Sequence, residues 1–420
     1  MSFKDFQLHQ KINTNIASCG YTQPTPIQLK AIPPILAGQD VLGLAQTGTG
    51  KTAAFVLPIV QHLLTGKRKT VRALIVAPTR ELAEQIHQNV ITLAANTGIK
   101  SAVVYGGVGK QPQLKAIRSG AEIIVACPGR LLDILTEKDI TLRHVETFVL
   151  DEADHMFDKG FLPDIRRIVK QLPQERQSLV FSATMPKPIR HLAEEILTEP
   201  CTLQINHTAP APTISHTLIR VAREHKTPLL KQMLQEKEMT STVVFTRTKH
   251  KARSLAQQLE RSGHKAVALQ GNLSQQKRKI AMEGFRDGTF SVLVATDIAA
   301  RGIDVSNISH VINYDVPDTA ETYTHRTGRT GRAKQSGQAV TFADRGDQGM
   351  ISQIERILGK KMNLRPLDQI IKVQERYKES RKTAAPIKKT GAPRQKSHPS
   401  QHKNRRSKSV SFDFGINTSS

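Results

Sequence analysis

The sequence predicts an α/β protein built from two doubly wound parallel-sheet halves in tandem, followed by a basic tail. Two observations carry that reading. Short apolar runs alternate with helical stretches from Val41 to Thr184, and again from Thr242 to Ala343, as strands and crossover helices do in a parallel sheet covered on both faces. Between the two series lies HTAPAPTIS, His207 to Ser215, a polar Pro-containing stretch with the composition of a linker. The expected divisions are therefore 1–205, a linker 206–215, 216–360 and a tail 361–420.

In chain order, the first strand-like run is Val41 to Ala45, and an apolar-periodic helix follows from Ala53 to Leu64. The loop joining them is AQTGTGKT: Ala45, Gln46, Thr47, Gly48, Thr49, Gly50, Lys51 and Thr52. A strand–loop–helix with Gly-Lys-Thr at its end is the setting of a phosphate-binding loop. Gly48 and Gly50 let the backbone curl so that its N–H groups face an anion, and the helix adds the positive end of its dipole. Lys51 is placed for the β- and γ-phosphates of a nucleotide, and the Thr52 hydroxyl for Mg2+. The strict pattern has Gly where this chain has Ala45.

RALIVAP, a helix from Glu81 to Asn96, SAVVYGG and AEIIVACPGR continue the alternation. VETFVL, Val145 to Leu150, reads as a buried parallel strand and runs into DEAD, Asp151 to Asp154. Carboxylates at the carboxyl end of such a strand lie in the crevice where open α/β sheets bind ligands. Asp151 is thus placed to hold Mg2+ through water, and Glu152 to orient or deprotonate an attacking water. An acidic cluster alone is usually a solvated turn; paired with a phosphate loop, it reads as part of a nucleotide site. QSLVFSAT closes this half.

The second half brings TVVFTRT, a helix to Gly263, KAVALQG, a helix to Gly288, SVLVATD, HVINYDV and QAVTFA. Between the last two stands HRTGRTGR, His325 to Arg332. Arg329 and Arg332 are three apart and share a face if the segment is helical. Guanidinium forks match the oxygens of a transferring phosphoryl group, but a basic helix touching nucleic acid would look the same.

Composition narrows the partner class. Of 420 residues, 61 are Lys or Arg and 36 Asp or Glu, a net charge of +25, the footprint of a polyanion binder. From Arg381 to Lys408 there are ten Lys/Arg and no Asp/Glu, so that segment holds only part of the excess. It is nearly free of large apolar residues, so disorder is expected there, with tethering of RNA as one role and plain solubility as the other. If about half its charges met phosphates, binding would weaken roughly hundredfold between 50 and 200 mM salt. Cys19, Cys127 and Cys201 lack metal-ligand spacing and read as reduced cytosolic thiols. No apolar run reaches the length of a membrane span, and MSFKDFQLHQ lacks a signal-peptide core.

From Phe3 to about Leu358 the chain resembles a DEAD-box ATP-dependent RNA helicase, specifically the bacterial RhlE-type branch. The motifs stand in the family's order: Phe3 and GYTQPTPIQ (Gly20–Gln28), AQTGTGKT, PTRELA (Pro78–Ala83), Gly106–Gly107, DEAD, SAT (Ser182–Thr184), VVFTRT, QGNLSQQKR (Gln270–Arg278), ATDIAARGIDV (Ala295–Val305) and HRTGRTGR. The resemblance implies two RecA-like domains that close on ATP and one RNA strand. It implies that Phe3, Tyr21, Thr25 and Gln28 bind the adenine end, with Gln28 reading its edge, and that Asp304 contacts the ribose. Arg329 and Arg332 would complete the γ-phosphate site, and Asp154, Ser182, Thr184 and His325 would couple it to closure. Thr79, Arg80, Gly107, Arg130, Arg247 and Thr296 would follow the RNA backbone, which positions a strand without reading its sequence. Aromatic content of 4% with no Trp offers few stacking platforms and fits that mode. A cytoplasmic protein with a monomeric core is the family's default.

Two positions depart from the family pattern. Cys127 stands where the TPGR-like motif has Thr, and a thiol is the weaker hydrogen-bond donor. Gln270 stands where many relatives have His. The leading reading is an RNA-dependent ATPase; a non-catalytic RNA scaffold and a DNA translocase built from the same two domains are the rivals.

Overall fold

Two seven-stranded sheets, all parallel, organise the chain. The computed structural model describes residues 2–46, 48–205, 213–300, 308–331 and 336–367, all within one compact unit, Met1–Ile370. Thr47, Asp304, Arg332, most of the expected linker and the basic tail lie outside the described residues.

The first sheet is formed by β1 (Val41–Leu44), β2 (Ala73–Val76), β3 (Ser101–Val104), β4 (Ile123–Ala126), β5 (Thr147–Leu150), β6 (Gln177–Ser182) and β7 (Cys201–Gln204). The second contains β8 (Ile214–Arg220), β9 (Thr242–Phe245), β10 (Ala266–Leu269), β11 (Val292–Ala295), β12 (His310–Asn313), β13 (Gly337–Ala343) and the short β14 (Asn363–Leu364). Strand order is β3-β4-β2-β5-β6-β1-β7 in the first and β10-β11-β9-β12-β13-β8-β14 in the second. Adding seven to each number of the first order gives the second, so the halves share one topology that their sequences do not display plainly.

The strands are buried on both faces. Ala73, Ile75, Val125, Val149 and Phe181 join one core cluster, while Leu74, Val76, Ile124, Phe148 and Val180 join another. Successive side chains of a strand point to opposite faces, so continuous apolar runs feed two helical layers. In the second sheet, Val244, Val294 and Ile312 pack on one side and Val243, Leu293 and Val311 on the other. Gly43 in β1 is required by close packing: a Cβ there would stand 2.5 Å from the Phe181 ring. The N-terminal helices Gln10–Ser18 and Pro26–Leu36 bring Ile12, Ile27 and Ile32 into the first core, together with Phe3 and Phe6.

Three elements differ from the sequence-based expectation. Ile214 and Ser215, at the end of the expected linker, already pair with Gly337 and Gln338 as the start of β8. The alternation of ISHTLIR is masked by the polar but buried His216, and the strand lies between β13 and the short β14. β7 is an edge strand whose single buried residue, Leu203, left no apolar run to read. The helix carrying His325 is Ala320–Thr327 and ends with Gly328 as its cap, so Arg329 lies in the following turn and not in that helix.

Candidate active site and RNA-facing surface

β1, β6 and β5 are neighbours in the sheet, so the phosphate loop, SAT and DEAD emerge side by side at its carboxyl edge. Gly48 and Gly50 sit in the left-handed region, with φ of 85° and 93°, which the curl of the loop requires and glycine accepts without penalty. Helix Lys51–Leu63 starts at once behind Gly50. The buried Lys51 Nζ donates to the Ala45 carbonyl at 3.0 Å and lies 3.9 Å from Asp151 Oδ1. The Thr49 hydroxyl donates to the Gln46 carbonyl at 2.8 Å, closing the loop on itself.

The two acidic residues after β5 differ in acidity because their surroundings differ. Burial pushes the Asp151 carboxyl up to about 6, with Lys51 pulling the other way. Burial also acts on Glu152, but His155, Lys51 and Arg329 outweigh it and hold the carboxyl at about 2. Glu152 is therefore ionised and able to accept a hydrogen bond from a nearby water. Its backbone is left-handed, φ 53° and ψ 54°, an unusual conformation for a side chain of this size and of the kind found at functional sites. Its Oε2 lies 3.2 Å from His155 Nδ1, and both residues are buried.

Asp154 clasps the end of β6. Its Oδ2 accepts from both the backbone N and the hydroxyl of Thr184 at 3.0 Å. Its own N–H donates to Ser182 Oγ at 3.2 Å, and Ser182 Oγ donates to the Thr184 carbonyl at 2.7 Å. Ala45 N in turn donates to the Ser182 carbonyl at 3.0 Å, so the phosphate loop, DEAD and SAT are one connected network.

The second half reaches into this site. His325 and Arg329 line the same small pocket as Lys51, Glu152, Asp154, His155 and Ala183. Arg329 is buried, and its Nε donates to the His325 carbonyl at 3.2 Å. Of the residues expected at the phosphate end, Lys51, Asp151, Glu152 and Arg329 are thus gathered. The donors available to a metal here are the Thr52 hydroxyl and the Asp151 carboxylate. That set suits Mg2+, which takes oxygen ligands and relies largely on phosphates and water. Among the described residues no group of three or more His, Cys, Asp and Glu gathers to hold a metal.

Of the residues expected at the adenine end, Phe3 and Tyr21 stack with centroids 6.2 Å apart. Gln28 is buried, its Oε1 accepting from Thr25 N at 2.9 Å and its Nε2 donating to the Gly50 carbonyl at 3.1 Å. This ties the N-terminal segment to the phosphate loop.

Thr79, Arg80, Gly107 and Arg130 gather beyond the ends of β2, β3 and β4. Thr79 caps helix Arg80–Leu93 by accepting from Leu82 N. Gly107 has φ 79°, and a Cβ on it would run into the Arg80 guanidinium. Arg130 donates to the Val108 carbonyl at 3.1 Å. Across the molecule, Arg247 is anchored by Asp318 at 3.3 Å and by the Val316 carbonyl at 3.3 Å, and Thr296 opens the turn into helix Asp297–Ala300. Cys127 occupies the N-cap of helix Pro128–Thr136 and makes no capping hydrogen bond there. Burial pushes its thiol up to about 12, so it stays protonated. Gln270 is buried and its Oε1 accepts from Asn272 N at 2.7 Å, which gives this departure a structural reason.

The sequence of the site has clear relatives. A profile described as DEAD/DEAH box helicase matches residues 25–192, and one described as Helicase conserved C-terminal domain matches 225–334. The ATP-dependent RNA helicase CshA of Listeria monocytogenes is 42% identical over 361 residues, covering 86% of this chain and 69% of that protein. The chain belongs to the DEAD-box family of ATP-dependent RNA helicases. The CshA helicase of Geobacillus kaustophilus is 41% identical over 379 residues, 89% of this chain and 81% of that one. Among solved structures, Saccharomyces cerevisiae Dbp5 bound to RNA and ADP BeF3 matches with a TM-score of 0.80 at 32% identity, over 90% of this chain and 99% of that one. Mss116p bound to ssRNA and AMP-PNP gives 0.76 at 28% identity, over 88% and 80%. The fold is therefore the tandem RecA-like pair of this helicase family.

Three functional contacts of this DEAD-box protein were not legible in the sequence. Arg278 Nε donates to Glu81 Oε1 at 2.8 Å, joining residues 197 positions apart in the two halves. His155 follows DEAD immediately, yet only the turn at Glu152 brings its ring to the carboxylate. Arg326, inside HRTGRTGR, is turned inward: it holds both oxygens of Asp297 at 2.5 and 2.8 Å and donates to the Asp315 carbonyl at 2.7 Å. Its role is to tie two motifs together. Among the described residues no helix is long and apolar enough to cross a membrane.

Proposed function

We propose that this helicase hydrolyses ATP in response to single-stranded RNA, closing its two halves on both ligands, and that this separates short duplexes or remodels RNA–protein complexes in ribosome assembly or RNA decay. The observation that carries the reading is the pocket shared by Glu152 and Lys51 of one half with Arg329 of the other. A site completed only when the halves meet makes turnover depend on whatever brings them together.

In this reading Lys51 and Arg329 bind the phosphates and Glu152 orients or deprotonates the attacking water. Arg332 and Asp304 complete the nucleotide site from the second half. Mg2+, held by Thr52 and Asp151, would neutralise phosphate charge. The stacked pair Phe3–Tyr21 supports an aromatic face for adenine, and Gln28 a hydrogen-bonding edge. Thr79, Arg80, Gly107 and Arg130 with Arg247 and Thr296 carry the RNA backbone. The ATP-binding half spans 1–205, and the second half runs from Ile214 at the start of β8 to Leu364 at the end of β14; the basic tail from about 381 is an additional RNA tether. A monomeric core, a cytoplasmic setting and membership of the RhlE-type branch belong to the same proposal, the last resting on the order and spelling of the motifs.

The test is ATP hydrolysis by the full chain without nucleic acid, with single-stranded RNA and with matched DNA. Stimulation by RNA alone is expected, and equal stimulation by DNA would favour a translocase. Glu152→Gln is expected to retain ATP and RNA while losing turnover by about 10²-fold or more. Unchanged function in Lys51→Ala would return the protein to the class of RNA scaffolds.

A further inference from the structure

The turn that carries Arg329 is held by residues outside its own helix. Past Gly328 the chain leaves helix Ala320–Thr327 in tight steps, Arg329 N donating to the Arg326 carbonyl at 3.2 Å and Thr330 N to the Thr327 carbonyl at 3.0 Å. The buried Thr330 donates its hydroxyl to the carbonyls of Ile308 and Ser309, just ahead of β12. Gly331 follows in the left-handed region, with φ 70°. Its carbonyl accepts from the Thr213 hydroxyl at 3.0 Å.

Thr213 is fixed in turn. Its own carbonyl accepts at 3.0 Å from the N–H of Gly337, the first residue of β13. Ile214 beside it opens β8. The packing leaves no slack: a Cβ on Gly331 would stand 2.6 Å from Ile214 Cγ1 and 3.1 Å from Thr213 Oγ1. A Cβ on Gly337 would stand 2.5 Å from Gly331 N. Glycine at both positions lets the turn approach the starts of β8 and β13 to contact distance. Thr213 thus joins strand to turn, its backbone on β13 and its side chain on the residue after Thr330.

We propose that Thr213 is a positioning residue for Arg329: its hydroxyl fixes the turn from which the guanidinium reaches the pocket of Lys51 and Glu152. The proposal rests on the reading of Arg329 as a phosphate ligand. Magnitudes favour positioning over stability. A neutral hydrogen bond at an exposed position adds little to folding, because water replaces it when it is lost. An arginine at a transferring phosphoryl group is worth roughly 10³–10⁵ in rate, and a misplacement of about 1 Å can forfeit about 10² of such a gain. Thr213 also immediately precedes the strand by which the chain joins the second sheet. The entry into the second half and that half's contribution to the phosphate pocket are therefore one hydrogen-bonded unit.

The experiment compares the full chain with two variants: Thr213→Val, which removes the donor and keeps the shape, and Thr213→Ser, which keeps the donor. At saturating RNA and ATP, kcat is expected to fall about tenfold in Thr213→Val and to return to within about twofold in Thr213→Ser. ADP affinity and the urea midpoint are expected to be unchanged, since neither depends on the aim of Arg329. A threonine with only a structural role would shift the urea midpoint and leave kcat intact, and that result overturns the proposal. Equal losses in the Val and Ser variants, or weakened ADP binding in Thr213→Val, overturn it too. Arg329→Ala is the control and should lower kcat far more than Thr213→Val does. If Arg329→Ala leaves hydrolysis intact, the reading of Arg329 itself fails. If it stops hydrolysis while Thr213→Val turns over at the normal rate, the positioning role fails alone.

Discussion

Arg278 and Glu81 form an ion pair between the two halves, Nε to Oε1 at 2.8 Å, with both side chains largely shielded from solvent. Glu81 stands in the first turn of helix Arg80–Leu93, next to Arg80 on the proposed RNA surface, and Arg278 in the first turn of helix Gln275–Arg286. The contact exists only while the halves are together, so its free energy belongs to closure.

Arg278→Ala or Glu81→Ala is therefore expected to raise the RNA concentration for half-maximal ATPase stimulation by about 5- to 100-fold, the usual range of coupling energies. Unstimulated hydrolysis should barely change. The exchange Glu81→Arg with Arg278→Glu should recover part of the loss; no recovery would mean that the two residues act separately.

His155 is expected to act through Glu152. An ionised carboxylate only accepts, so His155 Nδ1 donates to it and fixes its orientation. His155→Ala should lower kcat by about tenfold with little change in the KM for ATP, and His155→Asn, which keeps a donor, should restore part of it. A changed KM with kcat intact would remove His155 from this role.

Arg326 predicts a stability effect rather than a catalytic one. Its guanidinium is buried, lies 5.1 Å over the Phe245 ring and holds Asp297 through two bonds. Removing it strands a carboxylate that is partly exposed, so Arg326→Ala should cost about 3 kcal/mol, read by urea denaturation. Arg326→Lys should recover little, because an ammonium cannot form the fork.

His216 gives a pH dependence. It is buried in β8 with Nδ1 2.8 Å from the Tyr323 hydroxyl, and burial, with Lys360 nearby, lowers its pKa from 6.5 to about 4. The unfolded chain binds a proton below 6.5 while the folded chain refuses it until about 4. Stability contributed here is complete above pH 6.5 and declines as pH falls towards 4, at up to about 1.4 kcal/mol per unit. His216→Asn should flatten that part of the profile; an unchanged slope would assign the acid loss to other groups.

Local patterns alone determined much of this molecule. The loop from Ala45 to Thr52 and the DEAD segment were legible because each is a short, contiguous run whose chemistry depends on backbone curl and strand ends. The all-parallel sheets were legible from apolar runs too short for helices and buried on both faces. Tertiary structure decided the rest. β7 and β8 were hidden because edge or mixed burial blurs the alternation of polar and apolar positions. The inward turn of Arg326 against the shared pocket of Arg329 was not written in HRTGRTGR, since identical side chains three residues apart are sorted only by what packs around them. Glu81 with Arg278, and Glu152 with Arg329, are pairs assembled from opposite halves of the chain. Sequence spacing carries no information about contacts made by folding two separate sheets against each other, and that packing is what completes the site.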